Sequence, residues 1–189
     1  MTSNVKKLTL SALFLALGLV LPILTGQIQQ IGNMLLPMHL PVFLCGLICG
    51  WRYGGAVGFV TPLLRSVTFG MPPMYPTAIA MVFELAVYGA VAGYLYGRSR
   101  KQSVAAVYRS LVVAMLAGRL VWGIVQFLLL GLRGSEFTWQ AFLAGAFLNA
   151  IPGIILQLIL IPAVMAALDK TGLVPFRKET EVGGQSDAG

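Results

Sequence analysis

Charged side chains are scarce in this chain. They make up 10% of its 189 residues, where soluble domains carry roughly 25%. A water-soluble fold of this size could not hide the 58% of the chain that is hydrophobic, so lipid is the solvent that suits the composition. Acidic residues are scarcer than basic ones, six against 13. That excess does not point to nucleic acid, because the positive charges stand mainly between apolar runs, where topology signals lie, and not along one face.

Cysteine occurs twice and histidine once. Cys45 and Cys49 lie one helical turn apart in an apolar run, with no His or carboxylate beside them. They are expected to be free buried thiols, neither a disulfide nor a metal site. Further absences exclude whole classes of chemistry. There is no Gly-x-x-x-x-Gly-Lys-Ser/Thr phosphate loop, so the chain has no such route to ATP hydrolysis. There is no His-Glu-x-x-His and no Gly-x-Ser-x-Gly, so an intramembrane enzyme would lack its metal or its nucleophile. No half of the chain repeats the other, which weighs against an inverted-repeat carrier. No enzyme activity and no cofactor are expected.

What the sequence does have is apolar runs, at about 6–24, 38–50, 54–69, 76–97, 104–131 and 139–168. A hydrocarbon core takes about 20 such residues per helix, and the reading is an all-α integral membrane protein with six transmembrane helices. Lys6-Lys7 followed by Leu8 to Leu24 looks like a signal peptide. The run is long, no small-residue cleavage site follows it, and more spans come after, so it reads as the first membrane helix. The second and third runs are short and meet at residues 50–55, Gly-Trp-Arg-Tyr-Gly-Gly, an interfacial turn with aromatic anchors.

With both termini in the cytoplasm, the cytoplasmic side carries Lys6, Lys7, Arg52, Arg98, Arg100, Lys101, Lys170, Arg177 and Lys178, and Arg109 is near enough to snorkel. The opposite side holds Arg133 and Arg65. This asymmetry sets orientation. Residues 1–168 form the membrane domain, and 169–189 are read as a polar, disordered cytoplasmic tail. Two outer loops stand out: 25–37, polar and then apolar, and 70–76, uncharged and stiffened by three prolines. Such loops suit a lid over a site or a plain tight connection.

Ionisable groups inside a membrane are costly and face the interior of the bundle. Glu84 in the fourth run and Arg119 in the fifth are the two clear cases. At 1.5 Å per residue they lie roughly 12 Å and 18 Å below the outer ends of their helices, depths that match within about a turn. Helical spacing adds Thr77, Met81 and Tyr88 to the face of Glu84, and Trp122, Gly123 and Gln126 to that of Arg119. On the sixth run Gly145, Asn149, Gly153 and Gln157 share a face. Three converging polar stripes, with His39 at the outer mouth, would make a pocket for a small polar ligand. The plainer alternative is an ion pair that holds two helices in register. Ala12/Ala16 and Gly89/Gly93/Gly97 are small-xxx-small stripes that let helices approach closely, mostly inside one chain.

These segments resemble the substrate-binding S components of energy-coupling-factor (ECF) vitamin transporters, over about residues 5–168. The resemblance rests on Ala12-Leu-Phe-Leu-Ala16 and on Leu35-Leu-Pro-Met-His-Leu-Pro-Val-Phe-Leu-Cys-Gly-Leu-Ile-Cys-Gly50. It continues through Thr61-Pro-Leu-Leu-Arg65, Gly70-Met-Pro-Pro-Met-Tyr-Pro76, Ile151-Pro-Gly-Ile-Ile-Leu-Gln157 and Ile161-Pro162. It implies a six-helix bundle in a prokaryotic plasma membrane with a vitamin-sized pocket open to the outside. Ala12 and Ala16 would contact a transmembrane scaffold subunit coupled to two ATPase subunits, and the S component would topple to release its vitamin inward.

The pantothenate-specific subgroup is the most similar. Pantothenate would place its carboxylate on Arg119, its amide or hydroxyls on Asn149 and Gln126, and its dimethyl part against Trp122, Tyr75 and Met74. Glu84 would need Arg119 as its partner, and Arg65 would supply further positive charge. A pyridoxine, thiamine-type or folate vitamin is the alternative substrate, and a self-sufficient carrier or channel the alternative function.

Overall fold

The computed structural model describes residues 3–24, 36–132, 134, 138 and 150–176. Among them the chain forms helices α1 (Ser3–Leu24), α2 (His39–Cys49), α3 (Trp51–Phe69), α4 (Ile79–Arg98), α5 (Val104–Leu132) and α6 (Ile151–Lys170). An irregular turn, Met74–Ala78, leads into α4 with Tyr75 extended (φ −118, ψ 133). The helical choice follows from the solvent: lipid offers backbone groups no partner, and a helix satisfies each one within its own segment.

Breaks fall at glycines. Gly50 joins α2 to α3 at φ 100, ψ 168. Gly70 ends α3 at φ 69, ψ 2, and its N–H donates to the Ser66 carbonyl over 3.0 Å. Both positions lie in the left-handed range that suits glycine. The helix starts and ends fall close to the limits of the apolar runs, with residues 139–149 of the last run outside the described residues.

Four segments are long and apolar enough to cross a bilayer: α1, Met74–Arg98, α5 and α6. With 11 residues, α2 reaches only about 16 Å, roughly half of a hydrocarbon core. It is instead the most enclosed helix, buried from His39 to Cys49 on nearly every side. Helix α3 has 19 residues, but Arg52, Arg65 and its run of Gly, Thr and Ser make it less apolar than the four.

Close approach of α2, α3 and α4 is the work of glycine. A Cβ added to Gly54 would fall 2.5 Å from the Cα of Gly46 and 2.7 Å from the Gly89 carbonyl oxygen. A Cβ on Gly46, Gly58 or Gly89 would likewise strike the backbone of a neighbouring helix. The three backbones therefore touch where no side chain fits, as small-residue membrane interfaces do. Gly97, the last of its stripe, has nothing near it.

Side-chain pairs fix the helix directions. Ser11 of α1 receives a hydrogen bond from the Cys45 thiol at 3.6 Å, and both cysteines are free and buried. Further on, Gly18 sits against Thr61, and Arg65 Nη1 donates to the Leu19 carbonyl at 2.5 Å. On α5, Leu129 meets Tyr75, Arg119 meets Glu84 and Arg109 meets Ser99, so α5 runs antiparallel to α4. Gln157 near the start of α6 reaches Leu36, just before α2. One end of the bundle thus gathers the starts of α1, α3 and α5 and the ends of α2, α4 and α6.

Candidate functional site

At the centre of the bundle, α4 and α5 bring Glu84 and Arg119 together. Arg119 Nη1 stands 2.8 Å from Glu84 Oε1, with Glu84 1% and Arg119 5% exposed. The same carboxylate oxygen accepts the Tyr88 hydroxyl at 2.8 Å, one turn along α4. His39, the first residue of α2, lies beside them with its Nε2 3.9 Å from Glu84 Oε1, beyond hydrogen-bond reach. Its ring tilts against Tyr88 at 5.4 Å, and Phe43 stacks on the same Tyr88 ring at 4.9 Å. Gly118 makes room for this arrangement, since a Cβ there would strike the Tyr88 ring.

The cluster is not closed on itself. Arg119 Nη2, both ring nitrogens of His39 and Gln126 Oε1 are buried without a hydrogen-bond partner among the described residues. Buried polar groups are as a rule paired, and each exception asks for a reason. Gln126 lies two turns beyond Arg119 on the same buried face of α5, about 10 Å along the axis. The open positions therefore comprise one cationic donor, an imidazole and an amide acceptor, groups suited to holding a small polar molecule. Among the described residues, no group of His, Cys, Asp or Glu could hold a metal ion.

Of the residues singled out in the sequence, His39, Glu84 and Arg119 converge, with Gln126 on the same helix face as Arg119. Trp122 is half-buried on α5. Tyr75 and Met74 lie further along, in the turn that leads into α4: the Tyr75 hydroxyl donates to the Leu129 carbonyl, and Met74 is exposed. Arg65 is buried and turned to α1, where it donates to Leu19, and its guanidinium lies over the Phe69 ring at 5.1 Å. Asn149 lies outside the described residues, as does most of the 25–37 loop. Ala12 and Ala16 are exposed on the outer face of α1. Sequence reasoning placed Tyr88 on the Glu84 stripe but gave it no role, and it missed Phe43 and Gly118. The four-residue step from Glu84 to Tyr88 was the available signal.

Compared with known families, the chain matches the model for "ECF transporter, substrate-specific component" over residues 6–165. No curated protein and no solved structure matches it.

Proposed function

The chain belongs to the family of ECF transporter substrate-specific components, and from that premise we propose that it captures a vitamin, pantothenate, at the Glu84–Arg119 cluster. Members of this family are multi-pass membrane subunits that confer substrate on a transporter and are not enzymes. The observation that carries the reading is the half-used guanidinium of Arg119. One nitrogen is held by Glu84, while Nη2 is buried with no hydrogen-bond partner among the described residues.

In this reading the pantothenate carboxylate takes Nη2, as guanidinium and carboxylate pair strongly. His39 and Gln126, with Asn149, meet the amide and hydroxyls, and Trp122, Tyr75 and Met74 pack the dimethyl part. Glu84 already has Arg119 and Tyr88 on its carboxylate. It therefore aims Arg119 and does not itself receive a cationic vitamin. Arg65 adds positive potential from the α3 side. The six helices make up six passes of the membrane bundle, the second of them only partly spanned by the short enclosed α2, which Gly50 joins tightly to α3, with both termini and the polar tail from residue 169 in the cytoplasm. Binding is from outside. A scaffold subunit seats on Ala12 and Ala16, and ATP hydrolysis by its two ATPase partners drives the toppling that releases the vitamin inside.

The test is ligand identification on the chain purified in mild detergent. Co-purified small molecules are read by mass spectrometry, and candidates are titrated against Trp122 fluorescence. Saturable binding of pantothenate is the expected result. Tight binding of pyridoxine or a thiamine-type compound instead would keep the family role and change the substrate. Solute flux through this chain alone in liposomes, with no vitamin bound, would move the assignment to a self-sufficient carrier.

A further inference from the structure

We propose that the corner where α3 begins and α4 ends, carrying Arg52 and Arg98, binds the phosphate of an anionic phospholipid. This inference is independent of the vitamin site.

The corner is built by close backbone contact. A Cβ on Gly93 would fall 2.7 Å from the Trp51 nitrogen and 2.8 Å from its Cα, so α3 starts directly against α4. Arg52 follows Trp51, and Tyr94 follows Gly93, with Arg98 one turn on. Arg52 lies over the Trp51 ring at 5.3 Å, and Arg98 lies off the hydroxyl end of Tyr94, 6.0 Å from the ring centroid. Arg98 Nη1 also donates to the Tyr94 hydroxyl at 2.8 Å. Trp51 and Tyr94 are each 49% exposed, and both arginines face outward with them. A neighbouring ring restrains each guanidinium while leaving N–H donors for phosphate oxygens.

Among the described residues no carboxylate pairs with this corner. Among the described residues the only ion pairs are those of Glu84, deep in the bundle. Asp169, at the same end as the corner, has Oδ1 accepting the Phe176 N–H at 2.7 Å. Facing it at that end are Lys6, Lys7, Arg52, Arg98, Arg100, Lys101, Arg109 and Lys170. Residues 177–189 add Arg177 and Lys178 against Glu179, Glu181 and Asp187, which leaves the excess almost unchanged.

No described carboxylate balances these arginines, and the place of the corner points to the anion that does. The two rings stand at helix ends, at the depth where Trp and Tyr mark the lipid interface. There an anionic leaflet presents phosphates to basic side chains. A basic end alone would serve orientation; two arginines on adjoining helices, each restrained by an aromatic side chain, also select a phosphate.

The experiment is a lipid titration of the delipidated full chain by native mass spectrometry. Phosphatidylglycerol is compared with phosphatidylcholine of the same acyl chains, and inorganic phosphate serves as competitor. Preferred binding of phosphatidylglycerol is expected. The pair R52Q/R98Q should weaken it about thirtyfold, at roughly fivefold per cation removed, with phosphatidylcholine and vitamin binding unchanged. Equal affinity for the two lipids would overturn the proposal, as would an unchanged phosphatidylglycerol affinity in R52Q/R98Q. Displacement of the lipid by an equal concentration of inorganic phosphate would also overturn it, in favour of a free-anion site. Should the glutamine pair fail to fold, R52K/R98K carries the test. Weakened but retained preference supports the arginine pair, and undiminished affinity refutes it.

Discussion

At the scale of single residues the Glu84–Arg119 pair is decisive, because it can be a ligand site, a structural tie, or both. Removing one partner of a buried pair leaves a bare charge and costs about 3–5 kcal/mol, whereas replacing both with apolar residues of like volume is often neutral. Arg119→Met alone should therefore destabilise the protein strongly in a thermal-shift assay. The double change Glu84→Leu/Arg119→Met should recover most of that loss. Vitamin affinity separates the roles: with Arg119 as ligand contact, the double variant stays folded and binds at least about tenfold more weakly, the scale of one lost charged hydrogen bond. Full affinity in the recovered double variant would leave the pair as a tie between helices.

Tyr88→Phe removes only the hydroxyl that donates to Glu84 Oε1. It should cost roughly 1–2 kcal/mol of stability, the scale of a hydrogen bond to a charged group. The check is a melting-temperature shift in Tyr88→Phe that disappears when the same change is made beside Glu84→Leu. The pairing of Glu84 with Arg119 was legible in the sequence, since helix rise alone put them at matching depth. The use of Arg65 was not. Its contact with the Leu19 carbonyl depends on how α1 crosses α3 beside Pro22, which no spacing within either segment reveals.

At the scale of elements, the glycines of α2, α3 and α4 carry the packing. Gly89→Ala must push the Gly54 backbone away, and the nearby backbone contacts of Gly46 and Gly93 leave it little room to move. Overpacking of this kind costs about 1–3 kcal/mol, so a clear loss of thermal stability is expected. Gly97→Ala is the matched control, because its added Cβ meets nothing and a helix interior favours Ala over Gly by about 1 kcal/mol. Equal melting temperatures for the two variants would contradict the packing described here. The stripe 89/93/97 was visible as a pattern, but the pattern is uniform along its length. Only the crossing of α2 and α3 near Gly89 and Gly93 shows that the first two glycines work and the third does not. The apolar runs marked the helices well for the same physical reason that lipid demands them, yet run length could not tell that α2 is a short enclosed helix.

At the scale of the whole molecule, the question is how a substrate-specific subunit, with the site proposed at its centre, hands its substrate on. Helix α1 packs on α2 and α3 through Ser11, Gly18 and Leu19. It leaves Ala12 and Ala16 exposed on the other side, among Leu13, Leu17 and Val20. Two alanines one turn apart make a flat strip between larger side chains, where another helix can approach closely. Because neither alanine supports the chain's own core, Ala12→Leu/Ala16→Leu should leave the melting temperature and vitamin affinity of the isolated chain unchanged. The same change fills the strip, so co-purification with the scaffold subunit and uptake of labelled vitamin by cells should both fall sharply. Lost vitamin affinity in the isolated variant would mean that α1 supports the site itself. Normal uptake would mean that the partner seats elsewhere, on the outward faces of α5 or α6. The two readouts divide capture from delivery, the division that a substrate-specific subunit of a multi-component transporter requires.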